Sequence, residues 1–422
     1  MSHLAGHYRE TPLNRSEISQ ADLDIKNKIR SNPLHWNGQF SPQLIEVLLN
    51  RYATSETLLF DPFLGSGTIL LEAGLLGIEA YGTEINPAAV LLAQTYHFIN
   101  VPGNIRSLYL EKVSSLIRRE FIKKFPLFQN VRIEMIKSRL IDLLSSIEDA
   151  RQHNLFETLI VLLDFYKQDL SVEKLFKMWN KITELVLRLP FSEKPIKVFH
   201  ADSRKTPLAD SSVDLVITSP PYINVFNYHQ QYRASVESLN WDLLKVAKSE
   251  IGSNRKHRGN RFLTAIQYCL DMAQTFKELA RVCCSNSRLI FVVGRESTIR
   301  GTSFYNGEIV TEVAHSSLGF NLILKQERVF LNRFGQNIFE DILHFSPPTG
   351  KSNPLFLESA RSIAQKILET AYSVANKAKD DIRSALENID TVQPSPVFEG
   401  DQILSKAENT KGRTDEIVHL SW

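Results

Sequence analysis

One segment constrains this chain more than any other. Residues 57–60 (TLLF) run into Asp61-Pro62-Phe63-Leu64-Gly65-Ser66-Gly67-Thr68, and that turn runs directly into the helical stretch ILLEAGLLG. A short apolar strand passing through a glycine-rich turn into a helix opens a β-α-β unit, which commits the chain to an α/β fold with a mainly parallel sheet. Such a turn lies at the carboxyl end of its strand, where ligands of open α/β sheets collect. Its glycines let a ligand approach the backbone, and the helix behind it offers unsatisfied N–H groups. A short Gly-x-Gly alone fits a plain tight turn equally well.

The same punctuation recurs. Residues 80–83, 196–199, Val213–Thr218 and 288–293 read as further strands, and 322–330 with 338–345, separated by LNRFGQN, as an antiparallel hairpin at one edge. Between about 104 and 190, leucines and isoleucines recur at helical spacing with no strand pattern, which predicts a helical insertion. After Pro354, Ile363, Ile367, Ala371, Val374, Ala378, Ile382 and Leu386 share one face of a predicted C-terminal helix, and beyond Asn388 the chain reads as loop. The expected division is therefore 1–103 (first part of the sheet domain with the glycine loop), 104–194 (helical insertion), 195–348 (remainder of the sheet domain) and 349–422 (helical extension and tail).

Composition excludes some classes. With 43% apolar and 23% charged residues, the chain is an ordinary globular sequence with a proper core. No stretch approaches the roughly 18 apolar residues of a membrane span, and the first residues, MSHLAGHYRETPLNRSE, contain no signal-peptide core. Cys269, Cys283 and Cys284 supply neither a disulfide framework nor metal-ligand spacing, so a cytoplasmic protein without metal is expected. All three read as packing residues in helical settings. The net charge of +2 announces no nucleic-acid partner, so a basic footprint has to be local. The candidates are Arg255, Lys256, His257, Arg258 and Arg261, or Arg118, Arg119, Lys123 and Lys124.

Two further features carry chemistry. Ala80-Tyr81-Gly82-Thr83-Glu84 ends in a carboxylate 23 residues after Asp61, placed to bind the two hydroxyls of a ribose. The glycine loop lacks full dinucleotide spacing, and Asp61 puts negative charge where phosphates would sit. A cationic ligand with an amino group and a sulfonium, S-adenosylmethionine, suits it better. Thr218-Ser219-Pro220-Pro221-Tyr222 directly follows the strand VDLVI. Its prolines stop sheet pairing and leave the Pro220 carbonyl free of local bonding, beside the Ser219 hydroxyl and the flat Tyr222 ring. Such a turn could grip a planar amine, whose lone pair must be drawn out of the ring before it attacks a methyl sulfonium.

Taken together, DPFLGSGT, the acid of GTEINP and TSPPY resemble the DNA amino-methyltransferases, specifically the cytosine-N4 group, over about 32–97 and 195–347. The resemblance implies a seven-stranded Rossmann-like methyltransferase sheet, S-adenosylmethionine as cofactor and double-stranded DNA as partner. In a restriction–modification setting it also implies a cognate restriction endonuclease. It implies cofactor contacts from Asp61, Phe63, Gly65, Ser66, Gly67 and Thr68, ribose binding by Glu84, and purine binding by Asp202. It further implies closure over the methionine end by the segment with Ser41 and Pro42, which also reads as a serine-capped helix start. Ser219, Pro220, Pro221 and Tyr222 match the catalytic tetrapeptide, and Arg255, Lys256, Arg258 and Arg261 become the candidates for DNA contact. Serine ahead of Pro-Pro-Tyr favours cytosine N4, while adenine N6 stays open, as do an RNA or protein amide substrate and an inactive DNA-binding subunit. The motif order, with the cofactor loop first, makes the helical insertion the first candidate for target recognition, with residues 224–261 as the alternative.

Overall fold

The computed structural model describes residues 6–400, apart from 123–131, 168, 224–227, 253–258, 333, 351–352 and 376. Its main sheet is built from β1 (Leu58–Asp61), β2 (Glu79–Glu84), β3 (Ile196–His200), β4 (Val213–Thr218) and β5 (Cys283–Gly294), after which β6 (Glu296–Ile299) and β7 (Thr302–Tyr305) form a separate small hairpin. The long hairpin β8 (Asn321–Leu331) and β9 (Asn337–Ser346) completes seven strands in the order β3-β2-β1-β4-β5-β9-β8. The pairs among β1–β5 are parallel, and β9 joins β5 antiparallel.

Strands covered on both faces read as continuous apolar runs, and the alternation shows which face each residue serves. In β5, Ile290 and Val292 enter one core with Leu59, Ala80 and Ile217. Leu289, Phe291 and Val293 enter the other with Phe60, Val216 and Phe345. The first core is covered by α1 (Pro42–Tyr52), α2 (Thr68–Leu76), α3 (Pro87–Gln94) and the insertion. The insertion consists of α4 (Gly103–Phe121), α5 (Ile133–Leu144), α6 (Ala150–Leu163) and α7 (Val172–Arg188), with no strand among its described residues. Buried Arg106 fastens both ends of the insertion, donating to the carbonyls of Val101 (2.7 Å), Val186 (3.3 Å) and Pro190 (2.7 Å). The second core is covered by α8 (Phe262–Val282), α9 (Asn306–Leu318), α10 (Phe356–Val374) and α11 (Lys379–Glu387).

Three expectations change. The C-terminal pattern forms two helices rather than one: Ala375 turns to extended backbone, and α11 folds back on α10 and α8. That return buries Ile382 and Ala385 and leaves Val374 half exposed. The adjacent Cys283 and Cys284 open β5 instead of ending a helix, though burial does make Cys283 a packing residue and pushes its thiol up to about 12. Beyond Asn388 the chain is not a free loop: Val392, Ser395 and Phe398 are buried.

Candidate active site

The order of strands reverses between β1 and β4, which makes the gap beyond their carboxyl ends the switch point of the sheet. The glycine loop leaves β1 on one side of that gap, and Ser219-Pro220-Pro221-Tyr222 leaves β4 on the other. One bond crosses it, from the Thr218 hydroxyl to Asp61 Oδ1 at 2.6 Å. Thr218 was not among the expected site residues, although it directly precedes the tetrapeptide.

Gly65 and Gly67 have φ of +54° and +87°, the left-handed region that favours glycine. A Cβ at Gly67 would also stand 2.9 Å from the Tyr96 ring, and one at Gly65 would stand 3.2 Å from Trp36. Gly67 caps α2, and the Gly65 N–H donates to Glu84 Oε2 at 2.9 Å. The Asn86 N–H donates to Glu84 Oε1 at 2.8 Å. Each Glu84 oxygen is therefore held by one backbone donor and keeps acceptor capacity for a hydroxyl. Burial pushes Glu84 up to about 7. Asp61 is fully buried and also raised to about 7, first by desolvation. Its Oδ1 accepts from Thr218 and from the Phe63 N–H (3.0 Å), whereas Oδ2 has no partner.

A cleft opens at this point. Phe63, Gly65, Ser66, Thr68, Glu84, Asp202, Ser219 and Pro221 all contribute to its wall, so most of the expected residues converge. Asp61, Gly67, Pro220 and Tyr222 stand behind or beside it. The Tyr222 hydroxyl lies 3.4 Å from Ser219 Oγ, and its ring packs on Gly294, where a Cβ would come to 3.0 Å. Burial pushes the phenol up to about 12, so it is neutral at physiological pH. Ser41 and Pro42 open α1, but the Ser41 side chain makes no capping bond, and neighbouring Phe40 is the residue that reaches the cleft.

Asp202 is more heavily engaged than its position at the end of β3 suggests. Both of its oxygens are filled by the backbone N–H, Nε and Nη2 of Arg204 and by the Phe398 N–H. Several other contributors were not among the expected site residues. Trp36 and Gln39 come from the segment ahead of α1, and Tyr228, Ser249, Glu250 and Ile251 come from the second recognition candidate. The insertion supplies no described lining residue. Trp36 and Tyr228 stack with ring centres 6.3 Å apart. The only legible signal was the aromatic content around 36–40 and 222–232. Arg261 is exposed at the start of α8, whereas Arg255, Lys256 and Arg258, like Lys123 and Lys124, lie outside the described residues.

The cleft wall carries Glu84, Asp202 and Glu250, with no lysine or arginine among its described residues. The fold and this site define a class: an α/β protein with an acidic cleft at the switch point of its sheet. Comparison with known proteins shows what part of it resembles. A DNA methylase family model matches residues 14–95, the stretch holding the glycine loop and Glu84. The type II methyltransferase M.MjaII of Methanocaldococcus jannaschii is 35% identical over 74 residues, 17% of this chain and 14% of that protein. The type II methyltransferase M.BsoBI of Geobacillus stearothermophilus is 35% identical over 75 residues, 18% of this chain and 15% of that protein. The matched stretch thus spans about a seventh of either relative's length. Among solved structures, a SAM-dependent methyltransferase from Methanosarcina mazei matches with 11% identity and a TM-score of 0.33, covering 72% of this chain and 98% of that one. An rRNA methyltransferase, aviRa of Streptomyces viridochromogenes, matches with 12% identity and a TM-score of 0.31, covering 79% and 96%. Residues 14–95 are therefore similar to the DNA methylases, and the cofactor that this likeness implies is S-adenosylmethionine. The residues present fit that cofactor: Asp61 offers an orphaned buried carboxylate oxygen, and Glu84 an oriented acceptor pair. Among the described residues no helix is long and apolar enough to cross a membrane, and no cluster of metal-ligating side chains occurs.

Proposed function

We propose that this chain transfers a methyl group from S-adenosylmethionine to an exocyclic amino group of a base in duplex DNA, and that the group is N4 of cytosine. One observation carries the reading: Ser219 and Pro221 line the same cleft as the glycine loop and Glu84, so acceptor and donor machinery share a wall across the switch point. When bound, S-adenosylmethionine supplies an electrophilic methyl group on a sulfonium.

The chain's own residues do the rest. Asp61 and the glycine loop hold the cofactor's amino-acid end, Glu84 its ribose, and the wall at Asp202 its purine. Ser219 Oγ and the Pro220 carbonyl accept the two hydrogens of the base's amino group, turning the nitrogen lone pair out of the ring. The Tyr222 ring gives the extruded base a stacking face, which offsets part of the cost of leaving the duplex. As the nitrogen–carbon bond forms and the sulfur–carbon bond breaks, the nitrogen sheds one proton. Ser219 is no base at neutral pH, so that proton passes to solvent.

An uncharged serine at the head of the tetrapeptide supports cytosine. The direct run of the chain from Tyr222 into residues 224–261 supports DNA recognition through that segment, with exposed Arg261 as a phosphate contact. The type II designation of both curated relatives supports a place beside a nuclease of the same specificity. The test is methyl transfer from labelled S-adenosylmethionine to mixed-sequence duplex DNA, read by nucleoside mass spectrometry. N4-methylcytosine is expected. N6-methyladenine would overturn the choice of base, and label in no nucleoside would overturn the reaction.

A further inference from the structure

Arg204 lies two residues beyond Asp202, and its side chain is fully buried. It forks onto Asp202 through Nε (2.8 Å) and Nη2 (2.6 Å), and reaches Asp271 of α8 through Nη1 (3.2 Å). It also donates to three backbone carbonyls, those of Ser249 (2.9 Å), Ser395 (2.8 Å) and Pro396 (2.9 Å). A planar guanidinium with five fixed donors can join that many partners at once, and a lysine cannot. Two of these partners, Asp202 and Ser249, line the cleft and share the Arg204 Nη2 donor. The other carbonyls belong to the C-terminal strap.

The strap completes the fastening. Ser395 donates from its N–H and its hydroxyl to the two oxygens of Asp271, both at 2.7 Å, and the hydroxyl also reaches the Glu250 carbonyl at 3.3 Å. The Gly252 N–H reaches Asp271 at 2.9 Å. The Phe398 N–H binds Asp202 at 2.8 Å, and its ring packs on His200 at the end of β3, with centres 4.8 Å apart. Residues 249–251 therefore form a cleft wall that lies in a loop, yet they are pinned to β3 and α8 by Arg204 and by a segment nearly 150 residues away.

We propose that the C-terminal strap, residues 393–398, braces the cofactor site from behind and that Arg204 is a positioning residue, holding the loop wall 249–251 against Asp202 at the purine end. This rests on the cleft being the S-adenosylmethionine site. Preorganised walls bind tighter because the ordering cost is met before the ligand arrives. Loss of the strap should therefore weaken the cofactor and spare the tetrapeptide.

The experiment compares the full chain, a chain ended at Gly400, a chain ended at Val392, and the full-length variants Phe398→Ala and Arg204→Lys. S-adenosylmethionine binding is followed by calorimetry, and methyl transfer by steady-state kinetics. The chain ended at Gly400 should bind like the full chain. The chain ended at Val392, Phe398→Ala and Arg204→Lys should each lose affinity on the order of tenfold. In Phe398→Ala the KM for cofactor should rise while kcat at saturating cofactor and the KM for DNA hold, a split that general destabilisation would not produce. Unchanged cofactor affinity in Phe398→Ala and Arg204→Lys would overturn the proposal even if the Val392 truncation failed to fold. A full chain that does not bind S-adenosylmethionine would instead overturn the assignment of the cleft itself.

Discussion

Asp61→Asn should make the cofactor-free protein more stable at pH 8 while weakening its hold on the cofactor. The buried carboxyl is raised from 3.8 to about 7, chiefly by desolvation. Between those values the native state binds a proton that the unfolded state has released, so stability falls as pH rises from about 4 to about 7, then stays flat. At about 1.4 kcal/mol per pH unit, the ionised group costs the empty protein about 4 kcal/mol. Asparagine removes that cost. Its Oδ1 still accepts from Thr218 and Phe63, but its amide N–H groups point where Oδ2 found no partner, which costs about 1–3 kcal/mol. The net gain is about 1–3 kcal/mol, measurable by urea denaturation of cofactor-free protein at pH 8. It should vanish below about pH 3, where the wild-type carboxyl is protonated in both states. Binding of the cofactor's ammonium group should return the charge to Asp61, so wild-type affinity should fall as pH drops below about 7. Losing a hydrogen bond between charged groups should reduce affinity roughly ten- to a hundredfold in the variant. A variant no more stable than wild type at pH 8, or one with undiminished cofactor affinity, would refute the reasoning.

Other changes separate the parts of the site. Ser219→Ala and Tyr222→Ala should each lower kcat, by about 10²–10³-fold for the serine, while calorimetric affinity for the cofactor stays close to wild type. Gly294→Ala puts a methyl group 3.0 Å from the Tyr222 ring, and displacing that ring should cost roughly ten- to a hundredfold in single-turnover rate, with the melting temperature little changed. Phe276 packs against Phe291 (5.0 Å), Phe320 (5.2 Å) and Phe345 (6.0 Å) in the second core. Phe276→Ala should therefore cost about 3–5 kcal/mol in chemical denaturation.

What the sequence disclosed follows from which interactions are local. The sheet strands were legible because burial on both faces writes an unbroken apolar run, and the glycine loop because its positive-φ positions need glycine. Boundaries drifted where pairing outran hydrophobicity. β5 begins at Cys283, five residues before its apolar run, because Val213 and Cys283 pair across a register irregularity. The C-terminal pattern kept helical spacing straight through the turn at Ala375, since residues on both sides of the turn face the same core. The contributors that went unseen share a different property. Trp36, Tyr228, Glu250 and Ser395 acquire their roles only from partners distant in the chain, and no periodicity records that.

The acids of this site divide by how their charge is answered. Asp202 was expected to bind the cofactor's purine and Asp271 carried no expectation, yet the protein answers the charge of both itself, through Arg204, Ser395 and backbone N–H groups. Asp61 is as deeply buried and Glu84 partly so, and both receive only neutral donors; desolvation raises both carboxyls to about 7. A fold under selection for stability alone would answer all four. Leaving two unanswered costs stability, and the two lie beside the glycine loop at the switch point, where the proposed cofactor would bring an ammonium group and a ribose diol to them. The answered pair braces the wall, and the unanswered pair is the part of the site that a bound cofactor should stabilise most.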